Sequence, residues 1–319
     1  MRLLIATDGS PSSHIVKDEI AARPWPLGTE VLVLCCVDSA TYPIAPSIVT
    51  LALKSAREEL DDYVKALNEC ASLKVSTLVS EGHPARTIVT QAEAWGADFI
   101  FMGSHGLGPI GRFLLGSTVT AVLHQAPCAV EIVRHPRRIP ESDRNGERRI
   151  LLAADGSAGS DKAVESVLAR PWPRGSEFRV VSVPVFGTPQ MEPGFVDAVS
   201  WAEIRDNAIE EANRAAAQTL ARFKGSGFAV DAVVPSGVEG PKASILDEAE
   251  RWHADLIVVG AHGHGRLDRF LLGSISETLA LYAPCSVEVF REKHVQLVKD
   301  DFRTEASYIP VAPAVSGGA

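Results

Sequence analysis

The chain has 319 residues, of which 46% are hydrophobic and 22% charged, and its formal net charge is −9 at pH 7. This length predicts about two domains of ordinary size, and the negative charge argues against nucleic-acid binding through a basic surface. No apolar run approaches the roughly 20 residues of a membrane helix. The five cysteines form no CxxC pair and no secretory signal opens the sequence, which predicts a soluble, cytoplasmic protein with reduced thiols.

Short aliphatic runs alternate with helical patterns along the first half of the chain. A long helix is predicted at 48–70, with Glu58, Glu59, Asp61 and Asp62 expected on its water-facing side. Strands that alternate with helices pair in parallel through right-handed crossovers. The pattern therefore predicts an α/β fold, a five-stranded parallel sheet with helices on both faces. The predicted strands are 3–8, 30–37, 75–79, 99–103 and 129–134.

The second half of the chain repeats the first. LLIATDGS, which contains Asp8, returns as LLAADGS, which contains Asp155, and the tetrapeptide RPWP also occurs twice. An internal repeat of this length predicts two copies of one structural unit. We expect RPWP to end a helix and to pack its indole ring. The predicted divisions are a domain at 1–134, a charged linker at 135–147, a domain at 148–291 and a tail at 292–319, with the ten extra residues of the second copy at 186–195.

Two glycine-rich loops occupy equivalent places in the copies, after the fourth predicted strand of each. GSHGLGPIGRFLLGST begins at Gly103, and GAHGHGRLDRFLLGSIS begins at Gly260. Both loops lead into a helix, whose first amide groups carry a partial positive charge and suit a phosphate. A glycine-rich turn between a strand and a helix can also be purely structural, and duplication alone can preserve such a turn. Similarly, an Asp before Gly-Ser can either lie beside a ligand or cap a turn.

These motifs resemble those of tandem universal stress proteins, whose ATP-binding subgroup carries G-x2-G-x9-G-[S/T]. The resemblance extends from residue 1 to about residue 291. It implies two Rossmann-like domains of the adenine nucleotide alpha hydrolase-like type, each with one nucleotide site. In the first copy it implies nucleotide contacts from Asp8, Gly9, Val37, Gly103, Gly106, Gly116, Ser117 and Thr118. In the second copy it implies contacts from Asp155, Gly156, Val183, Gly260, Gly263, Gly273, Ser274 and Ile275.

Within this resemblance, the backbone at Val37 and Val183 is expected to meet the adenine. A small or hydroxyl residue is expected two places after the serine of each Gly-Ser pair, so that Ser276 keeps a phosphate contact and Val119 loses it, unless Thr118 takes it over. Arg112 and Arg269 are equally compatible with a phosphate contact and with a solvated or ion-paired role. Structural or hydrogen-bonding roles are favoured for His105, His262 and His264 over acid–base chemistry.

Three functions remain open from the sequence. The first is an ATP-binding regulator of the stress response or of growth arrest, with two sites per chain and Mg²⁺ carried on the phosphates. The second is a slow ATPase or phosphotransferase, although neither glycine loop contains a lysine and no second carboxylate is paired in sequence with Asp8 or Asp155. The third is a nucleotide-free scaffold that binds an unknown protein partner. The family resemblance also implies that the last strands of the two copies pair within one chain, with a homodimer as a further option.

Overall fold

The computed structural model describes residues 1–38, 46–70, 72–105, 115–134, 147–186, 198–263 and 272–293. The chain forms two compact units, built mainly from residues 1–133 and 134–292. Most of the predicted linker, insertion and tail lies outside the described residues. Across the described ranges, no helix has both the length and the apolar character needed to cross a membrane.

The first unit contains a five-stranded sheet in which β1 is central. Neighbouring strands pair in the order β3-β2-β1-β4-β5, and every pairing is parallel. The predicted α/β fold is confirmed, and the strand bounds differ from the prediction by at most two residues. The strands are β1 (Arg2–Thr7), β2 (Thr29–Val37), β3 (Leu73–Glu81), β4 (Phe99–Gly103) and β5 (Ala129–Val133). The helices are α1 (Pro11–Ala22), α2 (Pro46–Asn68), α3 (Pro84–Trp95) and α4 (Ser117–Gln125).

The second unit has the same topology, with the strand order β10-β9-β6-β7-β8 and parallel pairing throughout. This agreement follows from the repeat, because the central strands β1 and β4, and β6 and β9, are equivalent buried apolar runs. The strands are β6 (Arg149–Ala153), β7 (Glu177–Val181), β8 (Ala229–Val233), β9 (Leu256–Gly260) and β10 (Ser286–Phe290). The helices are α5 (Ala158–Leu168), α6 (Ala198–Arg222), α7 (Gly240–Arg251) and α8 (Ser274–Tyr282).

The RPWP segments close the first helix of each unit. Helix α1 ends just before the first segment, and the Trp25 indole is buried and donates a hydrogen bond to the Ile20 carbonyl at 2.8 Å. Trp172 repeats this contact in the second unit at 2.9 Å to Val167. The predicted packing role of these tryptophans is therefore confirmed. The arginines that precede them are buried in ion pairs with Glu131 and Glu288.

Candidate functional site

The carboxyl edge of each sheet brings the two conspicuous motifs together. In the first unit, β1 lies between β2 and β4, so the chain leaves β1 and β4 toward opposite sides and opens a crevice there. Asp8 follows β1, and His105 follows β4. The two loops are hydrogen-bonded to each other: Ser10 Oγ donates to the His105 carbonyl, and the His105 amide donates to Ser12 Oγ, both at 3.3 Å.

The Asp-Gly-Ser motif forms a tight turn that starts the first helix. The Ser10 amide donates to Asp8 Oδ1 at 3.1 Å, and Gly9 has a φ of +72°, a conformation that glycine adopts without strain. Ser10 Oγ then accepts from the Ser13 amide and caps α1. Asp155, Gly156 and Ser157 repeat this arrangement in the second unit. The aspartates therefore have the structural role that the sequence left open, at the edge of each crevice.

Two of the loop glycines are explained by packing of the first helix on the sheet. A Cβ at Gly103 would lie 2.4 Å from the Ser12 carbonyl oxygen, a distance that no side chain could accommodate. A Cβ at Gly260 would lie 3.1 Å from the carbonyl carbon of Gly159. Both glycines therefore allow a helix start to approach the end of a strand closely. This is a reason for glycine that does not involve a ligand.

Gly263 has a different neighbour. A Cβ at this position would lie 2.4 Å from Asp155 Oδ2, so the aspartate lies directly over the glycine backbone. The contact joins the Asp-Gly-Ser turn to the glycine loop within the second crevice. The equivalent residue of the first unit, Gly106, lies outside the described residues, as do Arg112, Arg269 and His264.

The glycine loops lead into helices α4 and α8. Gly116 is the N-cap of α4 and Gly273 the N-cap of α8, and neither helix start is capped by a side-chain hydrogen bond. Ser117 and Ser274, the first residues of these helices, are exposed. The Gly116 amide donates to the Ser104 carbonyl at 3.1 Å, which fixes the helix start beside the end of β4. Such helix starts offer amide donors and a partial positive charge to an anion.

The residues that follow these two serines are less exposed than the serines themselves. Thr118 and Ile275 are partly buried. Ser276 is 2% exposed, and its hydroxyl oxygen lies 2.8 Å from the Gly273 carbonyl and 3.1 Å from the Ala261 carbonyl, within donating distance of either. The phosphate contact expected of Ser276 stays a prediction, and Val119, which is 4% exposed, is a packing residue.

A histidine in each loop leaves one ring nitrogen unused. His105 Nδ1 lies 2.9 Å from Ser104 Oγ, which confirms a hydrogen-bonding role. The Nε2 atoms of His105 and His262 are both buried and have no hydrogen-bond partner among the described residues. Burial, with the charge of Arg291, lowers the pKa of His262, so its ring is neutral at pH 7. As far as the described residues show, equivalent ring nitrogens in the two crevices are thus free for one further hydrogen bond each.

The ends of β2 and β7 differ between the units. Val37 ends β2, and its carbonyl accepts from the Gly82 amide at 2.9 Å. The registers of β1 with β2 and of β6 with β7 place Pro184 at the position of Val37, one residue beyond Val183. Because proline has no amide hydrogen, the second unit cannot donate a backbone hydrogen bond from this position.

Glu59 lies beside the Asp8 turn, where the sequence did not place it. It was expected to face water, yet its side chain is 20% exposed, compared with 68% for the neighbouring Glu58. Its carboxylate Oε2 lies 3.7 Å from the position of a Cβ on Gly9, beside the Asp8 turn. The signal available in the sequence was its spacing of four residues from Tyr63, which is fully buried on the inner face of α2.

Comparison with known proteins agrees with this architecture. A family model described as the universal stress protein family matches residues 1–134 and 147–291. The chain belongs to this family. Because the same family model matches both halves, each copy of the repeat is one domain of this family. Within the described residues, no group of three or more His, Cys, Asp or Glu side chains is arranged to hold a metal ion.

Several relatives match over most of the chain. A universal stress protein of Mycolicibacterium smegmatis is 30% identical over 271 residues, which cover 79% of this chain and 83% of the relative. A universal stress protein of Mycobacterium tuberculosis is 26% identical over 306 residues, which cover 91% of this chain and 96% of the relative. The crystal structure of a universal stress protein from Archaeoglobus fulgidus has a TM-score of 0.64 at 24% identity, covering 92% of this chain and 97% of that chain. This structural likeness supports the Rossmann-like fold.

Proposed function

We propose that this universal stress protein binds an adenine nucleotide in each unit and acts as a nucleotide-dependent regulator of the stress response or of growth arrest. The observation that carries the proposal is the uncapped start of α4 and of α8 beside the Asp-Gly-Ser turn, at the carboxyl edge of a parallel sheet. This edge is where doubly wound α/β folds bind their ligands, and an uncapped helix start suits a phosphate.

Each residue type contributes a different interaction. The exposed hydroxyls of Ser117 and Ser274 and the amides that follow them would donate to phosphate oxygens. The orphaned Nε2 atoms of the loop histidines would gain a partner at the ligand. The predicted contacts remain Asp8, Gly9, Val37, Gly103, Gly106, Gly116, Ser117 and Thr118, with Asp155, Gly156, Val183, Gly260, Gly263, Gly273, Ser274 and Ile275 in the second unit.

ATP is the proposed ligand, and any Mg²⁺ would be held mainly by its phosphates. This follows from the residues present, because the described part of the chain contains no cluster that could hold a metal without the nucleotide. When bound, Mg²⁺ would neutralise part of the phosphate charge. The protein residues would bind and orient the nucleotide at the helix start.

Substitution of the N-cap glycines tests the proposal. Gly116→Asp supplies a favourable helix cap but places a carboxylate where a phosphate would lie, whereas Gly116→Asn supplies a similar cap without the charge. Gly273→Asp and Gly273→Asn form the matching pair in the second unit. In both variants the new Cβ would lie 2.9 Å from the Ala261 carbonyl oxygen, so any steric cost is the same for the two. The comparison within each pair therefore isolates the effect of the charge.

The measurement is nucleotide content, by mass spectrometry of the ligand released from purified protein and by equilibrium dialysis with ATP. We expect about two nucleotides bound by the unaltered chain and about one by each Asp variant, with smaller losses in the Asn variants. Equal occupancy in the Asp, Asn and unaltered proteins would show that the glycine loops are structural turns. Absence of any bound adenine nucleotide would refute the proposed function.

A further inference from the structure

The long crossover helix presents a different residue to the Asp-Gly-Ser turn in each unit. In the first unit, the carboxylate of Glu59 lies 3.7 Å from the position of a Cβ on Gly9. In the second unit, the same approach to Gly156 is made by Ala215, whose Cβ lies 3.3 Å from the position of a Cβ on that glycine. Both neighbours come from the long crossover helix, α2 or α6, so they occupy the same place in the fold. Beside this turn the first unit thus has the carboxylates of Asp8 and Glu59, whereas in the second unit Ala215 takes the place of Glu59.

The Glu59 carboxylate is held at this place. Its side chain is 20% exposed, and His14 Nδ1 lies 3.5 Å from its Oε1. That oxygen is buried and makes no hydrogen bond with the described residues. Burial raises the pKa of the Cys35 thiol to about 11, and the negative charges of Asp8 and Glu59 contribute to this increase. Both carboxylates therefore act on the same thiol. A negative charge that is partly shielded from water acts over a longer distance than one on the surface.

We propose that Glu59 is a specificity-determining residue that makes the first site discriminate against nucleotides with high negative charge. The second site, with Ala215 in its place, lacks this discrimination. The inference rests on the proposed nucleotide function of both crevices. It predicts that the first site favours nucleoside monophosphate or magnesium-bound triphosphate, whereas the second site also accepts the free triphosphate.

Coulomb's law sets the size of the effect. Free ATP carries about two more negative charges than AMP. If these charges lie about 8 Å from a carboxylate in water-like surroundings, they weaken binding of ATP relative to AMP about fivefold. Mg²⁺ neutralises two of the negative charges of ATP, so it should abolish most of this difference in binding. Salt should reduce it as well, because mobile ions screen charges at such distances.

The experiment measures the ratio of the dissociation constants for ATP and AMP at each site of the full-length chain. Gly273→Asp is used to block the second site, so that binding to the first site is measured alone. Gly116→Asp is used to block the first site, so that binding to the second site is measured alone. Isothermal titration calorimetry is performed with EDTA and again with Mg²⁺. With EDTA, we expect the ratio to be about fivefold higher at the first site than at the second. Glu59→Gln should abolish this difference.

Glu58→Gln is the matched control, because it removes the same charge from the adjacent, exposed position of the same helix. We expect it to leave the ratio unchanged. The inference is overturned if Glu59→Gln leaves the ratio unchanged, or if Glu58→Gln changes it equally. In both cases nucleotide binding itself would stand. If neither site binds AMP or ATP, the proposed function fails and the inference falls with it.

Discussion

Each unit buries an arginine–glutamate ion pair, and neutralising the glutamate should destabilise the two units by different amounts. Arg23 is 5% exposed and Glu131 is fully buried, and Arg23 Nη1 donates to Glu131 Oε2 at 2.8 Å. In the second unit, the guanidinium of Arg170 donates to both oxygens of Glu288, at 2.8 and 3.0 Å. The substitutions are Glu131→Gln and Glu288→Gln.

The difference lies in the residue that precedes each arginine by four positions. Glu19 accepts from Arg23 Nε at 2.8 Å, whereas Arg170 Nε donates to the backbone carbonyl of Ser166 at 3.1 Å. Burial by itself would lower the pKa of Arg23, but the charges of Glu131 and Glu19 outweigh it and raise this pKa, so the arginine stays charged.

Removing one partner of a buried pair costs about 3–5 kcal/mol, because an uncompensated charge remains. We expect Glu288→Gln to cost about 4 kcal/mol of unfolding free energy, within this range. Glu131→Gln should cost about 2 kcal/mol, since the carboxylate of Glu19 remains beside Arg23.

The assay is urea unfolding followed by tryptophan fluorescence, together with hydrogen exchange resolved by mass spectrometry into peptides from each unit. The peptide measurement is needed because a two-unit chain can unfold in more than one step. The control is the double substitution Arg23→Met with Glu131→Leu, which removes both charges and should recover most of the lost stability. Equal costs for the two Gln variants would refute the reasoning, as would a cost below about 1 kcal/mol for Glu288→Gln.

Two further predictions concern packing and pH. Gly103→Ala should destabilise the chain by about 3 kcal/mol and Gly260→Ala by about 1 kcal/mol in thermal unfolding, because the new Cβ meets backbone at 2.4 Å in the first case and 3.1 Å in the second; equal losses would contradict this assignment. Burial raises the pKa of Tyr63 to about 12, so the folded state keeps a proton that the unfolded state loses near pH 10. The contribution of Tyr63 to stability should therefore be complete below about pH 10 and lost between about pH 10 and 12. Urea midpoints of the unaltered chain and Tyr63→Phe should converge over that range, and a constant gap would contradict the prediction.

Much of the fold could be predicted because several strands are continuous apolar runs and the stretches between them have helical periodicity. The first unit shows this at β4, where the predicted and observed bounds are identical. The helix predicted at 48–70 spans Pro46–Asn68. The role of individual glycines could not be predicted, because a positive φ, a helix packed on the backbone and a ligand all favour glycine.

The sequence by itself determined the alternation of strands and helices, the tandem repeat and the position of both glycine loops at carboxyl ends of strands. These features are local, or they recur along the chain. Only the tertiary structure decided that Gly103 accommodates the start of α1, that Pro184 takes the place of Val37, and that Glu59 faces Gly9. Periodicity shows which face of a helix is buried, but the residue it meets comes from a distant part of the chain, and sheet register and helix packing determine that pairing.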